Sequence, residues 1–423
     1  MLKIYSLFFV LLFAGTQNSI NAQIIDGSLI NTNHLDHLFQ EIEINNVKMG
    51  TINIYSDAPD YKLVTDDDEG YTCVDDVARA LVFYCRQYKV NPEKKNLEKI
   101  KLLSKFIMYM KAPNGYYYNF LLPDKQINKV HPNSRPIPNY WSWRAYWALS
   151  AFCLVDNTEL TGLQLEAKGQ LNSLTQKINL LFQAPYKLVD IEGLKIPNWM
   201  EKYGSDQISV ILLGLTNYYQ INPNANIKKL MQRLGEAIVS MQFGSKDKFP
   251  YGAFMSYKND WHAWGNTQAY ALLKAGHELN NETFVKSALK EVDNFYSYCN
   301  KQGFLHDFAI KRVNGSIQSY NLNKFPQIAY NLRPMILASI EAYHITKLNK
   351  YAVQAGKLGR WFFGNNPANQ VMYNARTGVV FDGIDSKNKV NYNSGAESTI
   401  EALLSLQAIK TSTTALQILK AKM

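Results

Sequence analysis

The sequence predicts an all-α protein in which six helical hairpins close into a ring, an (α/α)6 toroid with short β segments on one rim. Three observations lead to this prediction. Helical periodicity dominates the 423 residues, amphipathic helices alternate with nearly uncharged ones, and the uncharged helices recur at an almost constant spacing. Periodic helix pairs indicate repetition of one supersecondary unit.

The two kinds of helix differ in how much polar surface they carry. The segment 93–111 has eight charged residues and one apolar stripe, which is typical of a helix with one face in water. The segment 203–220 has one charged residue, Asp206, and apolar side chains on most sides. A helix of that kind is buried on most sides. The polar helices therefore form an outer layer and the uncharged helices an inner one.

The spacing of the inner helices favours closure of the ring. They are predicted to begin near Asp75, Asn139, Tyr203, His262, Gln327 and Gly395, at spacings of 64, 64, 59, 65 and 68 residues. The outer helices are predicted at about 34–43, 95–111, 162–184, 225–243, 281–301 and 349–364. Only a closed ring buries six inner helices on all sides, so residues 23–423 are predicted to form one domain.

Short β-like segments are predicted at 115–122, 249–257 and 303–311. Each leads from an outer helix into the next inner helix. They should therefore lie together on one rim, around the N-termini of the inner helices.

The first 22 residues have the pattern of a cleavable secretory signal: Lys3, an apolar run over 4–14, and a small residue, Ala22, at the expected cut. The mature chain should begin at Gln23 and be periplasmic or secreted. No later segment reaches 18 uninterrupted apolar residues, so we expect no membrane insertion of the mature chain.

The distribution of charged residues and the motifs in the sequence limit which ligands and macromolecular partners we expect. Lys and Arg number 45 against 35 Asp and Glu, a formal charge of +10, but the basic residues are spread along the chain and match no nucleic-acid motif. We therefore expect no nucleic-acid partner. No spacing of His, Cys and Asp resembles a metal site, and no glycine-rich phosphate loop occurs, so neither a metal nor a cofactor is expected. The oligomeric state stays open.

Aromatic and polar residues collect at the predicted starts of the inner helices. Six of the seven Trp residues lie at or just before these starts. Sugar rings stack their CH faces on aromatic planes and bond their hydroxyls to amides and carboxylates, so this composition predicts a carbohydrate site. The expected substrate-binding residues are Trp141, Trp143, Arg144, Tyr203, Asp206, Trp261, His262, Trp264, Asn266, Gln327, Asn331, Asn366 and Asp382.

Three carboxylates are the catalytic candidates. Asp75 and Asp76 open the first inner helix, and Glu397 opens the last, which becomes a neighbour of the first when the ring closes. Two carboxyl groups on facing walls of a cleft are what glycoside hydrolysis requires. The alternative is structural: Asp is a preferred N-cap, and Ser394 with Glu397 matches a capping box. An ion pair between Asp75 and Arg79, four positions apart, is also expected.

The chain resembles the bacterial six-hairpin toroid glycosidases. Residues 54–55 and the run GYTCVDDVARA at 70–80 are similar to a stretch in secreted members of that clan. A weaker resemblance is to glycoside hydrolase family nine, which has a paired-Asp motif, a late Gly-x-Asn-Pro loop and a catalytic Glu in the same order as Asp75 and Asp76, the loop 364–367 and Glu397 here. This resemblance implies Glu397 as general acid, Asp75 or Asp76 as base on water, and inversion.

Three functions follow as hypotheses. The first is a secreted glycoside hydrolase acting on an oligo- or polysaccharide. The second is a polysaccharide lyase, with Tyr203 or His262 as base and Arg144 or Arg333 neutralising a uronate. The third is a glycan-binding protein without catalysis. The sugar, the linkage, and endo or exo action are open at this stage.

Overall fold

The computed structural model describes residues 29–421, and the predicted signal segment 1–22 lies outside them. Within this range fourteen α-helices are present, and none of them is long and apolar enough to cross a membrane. They are α1 (Asn33–Leu38), α2 (Val74–Val90), α3 (Lys94–Tyr109), α4 (Tyr140–Phe152), α5 (Thr161–Leu181), α6 (Asn198–Lys202), α7 (Gly204–Ile221), α8 (Ala225–Val239), α9 (Gln268–Leu279), α10 (Glu282–Gln302), α11 (Ala329–Thr346), α12 (Asn349–Gly359), α13 (Ala396–Lys410) and α14 (Thr413–Lys420).

Helices α2, α4, α7, α9, α11 and α13 form the inner ring. Each contacts the next in this order, and α13 contacts α2, which closes the ring. Helices α3, α5, α8, α10, α12 and α14 lie outside them. The predicted (α/α)6 toroid is therefore confirmed, with the apolar core between the two layers.

The burial pattern explains the two layers. In outer helix α8, the buried residues Ile227, Leu230, Leu234 and Ile238 recur every three or four positions and form one stripe. Asn224 caps this helix by accepting hydrogen bonds from two backbone N–H groups. In inner helix α13, every residue from 398 to 409 is buried, because neighbours pack on all sides.

Thirteen strands occur in the described residues, all of them short: β1 (Phe39–Ile44), β2 (Val47–Ile52), β3 (Tyr55–Asp57), β4 (Lys62–Val64), β5 (Thr72–Cys73), β6 (Phe120–Leu121), β7 (Leu188–Ile191), β8 (Leu194–Pro197), β9 (Asp260–His262), β10 (Asp307–Val313), β11 (Ser316–Asn323), β12 (Gly383–Ser386) and β13 (Lys389–Asn391). Strands β3 to β13 lie in segments that lead into inner helices, on the rim of the ring that the sequence predicted. The longest are β10 and β11, which pair antiparallel.

The prediction of a first outer helix over 34–43 was wrong beyond residue 38. The chain turns into the hairpin β1–β2, whose register pairs Phe39 with Ile52. Asn45 and Asn46 form its turn with φ of 51° and 62°. Asn tolerates the left-handed region that two-residue hairpin turns require, and this pair was the available signal. The sixth outer position is instead occupied by α14, which packs against α12.

The fourth inner helix begins at Gln268 and not near His262. Residues 260–262 form β9, which pairs antiparallel with β10, and a 3-10 turn at Ala263–Gly265 follows. The segment 249–257 is not a strand. The β structure therefore lies slightly later in the chain than predicted, and it holds His262 and the turn after it in place.

Candidate functional site

A buried guanidinium group, that of Arg79, binds four carboxylates at one end of the ring. Nη2 of Arg79 lies 2.9 Å from Asp75 and 2.6 Å from Asp76, and Nη1 lies 2.8 Å from Glu397 and 3.1 Å from Glu401. The first two partners belong to α2 and the last two to α13. The structure thus brings together the three catalytic candidates, and the predicted pair of Asp75 with Arg79 is confirmed.

Two further arginines extend this cluster. Arg144 on α4 lies 2.5 Å from Asp75 and donates to the Tyr330 hydroxyl at 2.6 Å. Arg333 on α11 pairs with Glu401. The Tyr330 ring faces the guanidinium groups of Arg79, Arg144 and Arg333 at 5.6, 5.2 and 5.0 Å, distances at which cation–π attraction acts. Four carboxylates therefore share three guanidinium groups, and four inner helices contribute to the arrangement.

The four carboxylates differ in access to solvent. The Glu397 side chain is 42% exposed and that of Asp75 22%, whereas Asp76 is 4% and Glu401 0% exposed. Burial raises the pKa of Asp76 to about 6, with Arg79 opposing the shift and Asp75 and Glu397 adding to it. Burial also acts to raise the pKa of Glu401, but Arg333 and Arg79 hold it below its ordinary value. Of the four, only Glu397 and Asp75 have side chains with appreciable exposure to solvent.

Sequence reasoning missed Glu401 and Tyr330. The available signal for Glu401 was its charge: it stands one turn after Glu397 in a helix whose residues are otherwise almost all apolar or small. A lone acid in such a helix requires a buried cation. Tyr330 carried no comparable signal, because a tyrosine near a helix start is equally suited to core packing.

The capping alternatives for the three acids are wrong. The N-cap of α2 is Cys73, whose Sγ accepts from the Asp76 N–H, so neither aspartate caps the helix. The N-cap of α13 is Gly395, and the Ser394 hydroxyl accepts from the Val380 N–H. The hypothesis of a capping box at Ser394 and Glu397 is therefore contradicted.

Asp382 takes the capping role at α13. Its Oδ1 accepts from the Gly395 N–H at 2.7 Å and from the Ser398 hydroxyl at 2.6 Å. Burial raises the pKa of this carboxyl above its usual range, while the two hydrogen bonds act against the shift. Asp382, predicted as a substrate ligand, instead holds the first turn of α13 and so positions Glu397.

A second polar group lies at the starts of α7 and α9. Nε2 of His262 lies 3.1 Å from Oδ2 of Asp206, and the other Asp206 oxygen accepts from the Gln207 N–H. The imidazole stacks on Trp264 with ring centroids 4.2 Å apart and an interplanar angle of 17°. His306 also packs on Trp264, at 4.7 Å. Asp206 and His262 form a carboxylate–imidazole dyad, and the Trp264 indole is already engaged by two imidazole rings.

Several predicted sugar-binding residues are part of the core. Trp141, Trp143 and Trp261 are buried, and their rings expose no face on which a sugar could stack. Trp141 donates to the Tyr117 carbonyl, Trp143 donates to Gln207, and Trp261 packs between Phe295 and Phe308. Arg144, also expected to contact substrate, is buried in its pair with Asp75.

Three further predictions fail for similar reasons. Tyr203 is buried and packs on Phe182. The Gln327 amide donates to two backbone carbonyls and accepts from the Trp361 indole. The Asn366 amide donates to the carbonyls of Trp361 and Gln370. The two amides hold loops together and have no group left for a ligand.

Asn266 and Asn331 differ from these two. Both are buried, and neither amide makes a hydrogen bond with any protein group in residues 29–421. The Tyr140 hydroxyl on α4 faces Asp206, and burial followed by the charge of Asp206 raises its pKa well above the ordinary value. In the same range no group of three or more His, Cys, Asp or Glu side chains is placed to hold a metal ion.

Three solved structures with the same architecture are described as sugar epimerases or as a mannanase. A sugar epimerase from a ruminal bacterium has a TM-score of 0.63 at 14% identity, covering 94% of this chain and 99% of that one. Cellobiose 2-epimerase from Bacillus thermoamylovorans has a TM-score of 0.63 at 12% identity, covering 95% and 100%. A family 76 α-mannanase from Bacteroides thetaiotaomicron has a TM-score of 0.54 at 11% identity, covering 81% and 87%.

At these identities the likeness shows the fold, which is the six-hairpin, glycosidase-like (α/α)6 toroid. No model of a known protein family matches the sequence, and no curated protein matches it.

Proposed function

We propose that the chain is an enzyme that acts on a glycan, and that it hydrolyses a glycosidic bond with Glu397 as proton donor and Asp75 as base on water. The observation that carries this proposal is the Arg79 cluster, in which Glu397 and Asp75 are the two carboxylates exposed to solvent. The similarity of the fold to that of an α-mannanase supports it.

The separation of the two carboxyl groups suits this chemistry. Both bind terminal nitrogens of the same guanidinium group, at 2.8 and 2.9 Å. Their bound oxygens therefore lie no more than about 8 Å apart, and glycosidases place their two carboxyls about 5 to 9.5 Å apart. We propose inversion, in which Asp75 activates a water on the opposite face of the sugar from Glu397.

Four carboxylates around three guanidinium groups leave one negative charge in excess, so uptake of one proton neutralises the cluster. We assign the role of proton donor to Glu397 because its side chain is the most exposed of the four. Asp76, the other candidate base, is enclosed by Arg79 and Cys73 and cannot reach a water on the sugar.

Substitution Glu397→Gln tests the proposal. We expect turnover of a cleaved glycan to fall about 10²- to 10⁴-fold, the usual contribution of a general acid, with an unchanged circular dichroism spectrum. The matched control is Glu282→Gln, which removes an exposed ion pair with Lys286 on outer helix α10 and should leave turnover unchanged. Wild-type turnover by Glu397→Gln, measured by reducing-end release, would refute the assignment.

A second candidate function, epimerisation or isomerisation of a free sugar, is favoured by the dyad of His262 and Asp206. An imidazole oriented by a carboxylate is a general base, able to remove a proton from the carbon next to a sugar carbonyl and to support its return on the other face. Two solved structures that match nearly the whole chain are described as epimerases.

The two reactions leave different products. Hydrolysis adds the mass of one water, whereas epimerisation conserves mass and exchanges a carbon-bound hydrogen with solvent. We expect incubation in D2O to place no deuterium on carbon. Deuterium incorporation that is lost in His262→Gln and kept in Glu397→Gln would make epimerisation the function.

The other two hypotheses lose support. A lyase needs a free cation for its uronate, but Arg144 and Arg333 are both paired with carboxylates. A binding protein without catalysis would use exposed aromatic platforms, but three of the predicted tryptophans are buried.

We also propose that the protein is exported, because of the signal pattern over 1–22. The N-terminal sequence of the protein recovered from the periplasm or medium should begin at Gln23. Recovery of the full-length chain from the cytoplasm alone would contradict export.

A further inference from the structure

We propose that the site binds an uncharged or amino sugar and excludes uronates, with the Asn266 and Asn331 amides bonding the sugar hydroxyls. This inference rests on the proposed action on a glycan and names the class of sugar. It opposes the preference for anionic glycans that the +10 charge of the whole chain suggests.

Charge at the helix starts is the first argument. The first turns of the six inner helices carry four acids, Asp75, Asp76, Asp206 and Glu397, and no Lys or Arg. Helix N-termini carry partial positive charge and attract anions. Here the four acids, on α2, α7 and α13, oppose that charge, so a further carboxylate on a substrate would meet repulsion.

The second argument is that the nearby arginine side chains are already paired with carboxylates. Arg79, Arg144 and Arg333 stand one turn further into their helices, and each is bound to a carboxylate. All three side chains are buried. A uronate could gain a guanidinium partner only by displacing a carboxylate from one of these pairs, which would take a cation away from Asp75, Asp76 or Glu401.

The two free amides are the third argument. Asn331 lies in the first turn of α11, and Asn266 directly follows the 3-10 turn that contacts α11. Asn266 is 0% and Asn331 2% exposed, and none of their four amide atoms bonds a protein group in the described range. Nearly all buried polar side chains in proteins have partners, so these two are suited to a ligand.

The chemistry of an amide matches that of a hydroxyl. An amide offers a donor and an acceptor, and a sugar hydroxyl also donates and accepts, so each amide can bond a sugar hydroxyl. A uronate keeps its ring hydroxyls but carries a carboxylate in place of the C6 hydroxyl, and because a carboxylate only accepts, an amide oxygen that faces it is left unpaired. An amino sugar brings an ammonium group, which the exposed Glu397 carboxylate can bind.

A glycan array followed by titration calorimetry on the full chain tests the class of sugar. The array carries neutral, amino and uronate glycans, among them cellohexaose, the glucosamine hexamer and hexagalacturonate. We expect binding confined to neutral and amino glycans, with any uronate at least about tenfold weaker than its neutral counterpart. Equal or tighter binding of a uronate, or no binding of any neutral or amino glycan, would overturn the proposal.

Substitution of the amides tests the residues. Asn331→Ala and Asn266→Ala should each weaken binding of the neutral glycan about tenfold without lowering Tm, because neither loses a protein hydrogen bond. The matched control is Asn128→Ala: this buried amide bonds Asp68, Glu69, Val130 and His131. Its loss should lower Tm and leave affinity unchanged. Wild-type affinity in Asn331→Ala would count against the proposal.

A charge-adding variant covers the case in which an alanine variant does not fold. Asn331→Asp keeps the size of the side chain, and we expect it to favour the glucosamine hexamer over cellohexaose about tenfold relative to wild type. No change in that ratio would contradict the assignment.

The outcomes separate this inference from the proposed function. Binding of a neutral glycan without cleavage would refute hydrolysis and keep the inference. Cleavage of a uronate polymer would refute the inference and keep hydrolysis.

Discussion

Nη1 of Arg79 lies 2.8 Å from Oε2 of Glu397, although 318 positions separate the two residues. The pair joins the first inner helix to the last. The same guanidinium group binds Asp75, Asp76 and Glu401. One side chain thus closes the ring and assembles the candidate catalytic carboxylates.

Removal of this guanidinium group should destabilise the fold strongly. Arg79→Met leaves buried Asp76 and Glu401 without one of their cations, and we expect the free energy of unfolding in urea to fall by about 3–5 kcal/mol, as when a buried ion pair loses one partner. Lys286→Met, which removes an exposed pair on α10, should change nothing measurable. Equal stability of Arg79→Met and wild type would show that the cluster does not hold the ring together.

Stability should depend on pH through Glu291, a fully buried residue of α10. Burial raises the pKa of its carboxyl from 4.5 to about 8. The folded chain keeps this proton over a range in which the unfolded chain has lost it, so the free energy of unfolding falls as pH rises from 4.5 towards 8. The slope from this group should be about 1.4 kcal/mol per pH unit.

Glu291→Gln isolates this effect. The amide oxygen can still accept from the Phe254 N–H, and no proton is released. Urea unfolding at several pH values should therefore show a gap between variant and wild type that grows from pH 5 to pH 8 and then stays constant. A gap independent of pH would exclude Glu291 as its source.

A single methyl group should disturb the dyad. A Cβ at Gly265 would lie 2.4 Å from Cε1 of His262 and 2.9 Å from Cβ of Asp206, so Gly265→Ala must push the two side chains apart. We expect activity to fall about tenfold or more if His262 contacts the substrate. The control is Gly169→Ala on outer helix α5, where no atom lies within 4 Å of a new Cβ.

Gly169→Ala should raise the free energy of unfolding by about 0.5–1 kcal/mol, the usual gain from replacing glycine inside a helix, and leave activity unchanged. Full activity in Gly265→Ala would indicate that the dyad takes no part in the reaction.

Loss of the N-terminal cap of α13 should also disturb the position of Glu397. Asp382→Ala removes the acceptor for the Gly395 N–H and the Ser398 hydroxyl, and we expect a loss of about 1 kcal/mol in unfolding free energy. Because Glu397 stands in the first turn of this helix, kcat should fall as well. Asp382→Asn keeps an acceptor oxygen and should recover most of both losses. Unchanged kcat in Asp382→Ala would separate the cap from catalysis.

The ring itself could be predicted from the sequence because burial sets the polarity of whole helices. The contrast between α3, with charges on its outer face, and α7, with one acid, follows from how many sides of each helix meet water. The spacing of the inner helices and the polarity of each helix depend on many residues at once. A local exception such as the β1–β2 hairpin therefore did not change the prediction of the ring.

The site was only partly predictable. Asp75, Asp76 and Glu397 could be brought together because closure of the ring places the first and last inner helices side by side. Tryptophans could not be assigned in the same way: Trp143 and Trp264 stand at similar helix starts, but Trp143 is buried whereas Trp264 is half-buried. The orientation of each indole depends on neighbours that are distant in sequence, such as Gln207 for Trp143 and His306 for Trp264.

The contact between α2 and α13 also imposes an order on synthesis. Arg79 leaves the ribosome about 300 residues before Glu397 and Glu401, so its buried guanidinium group lacks two of its four anions until the chain is nearly complete. A nascent or truncated chain that ends before α13 therefore contains neither a closed ring nor the complete Arg79 cluster. Under the proposed function, we expect such a fragment to be inactive on a glycan.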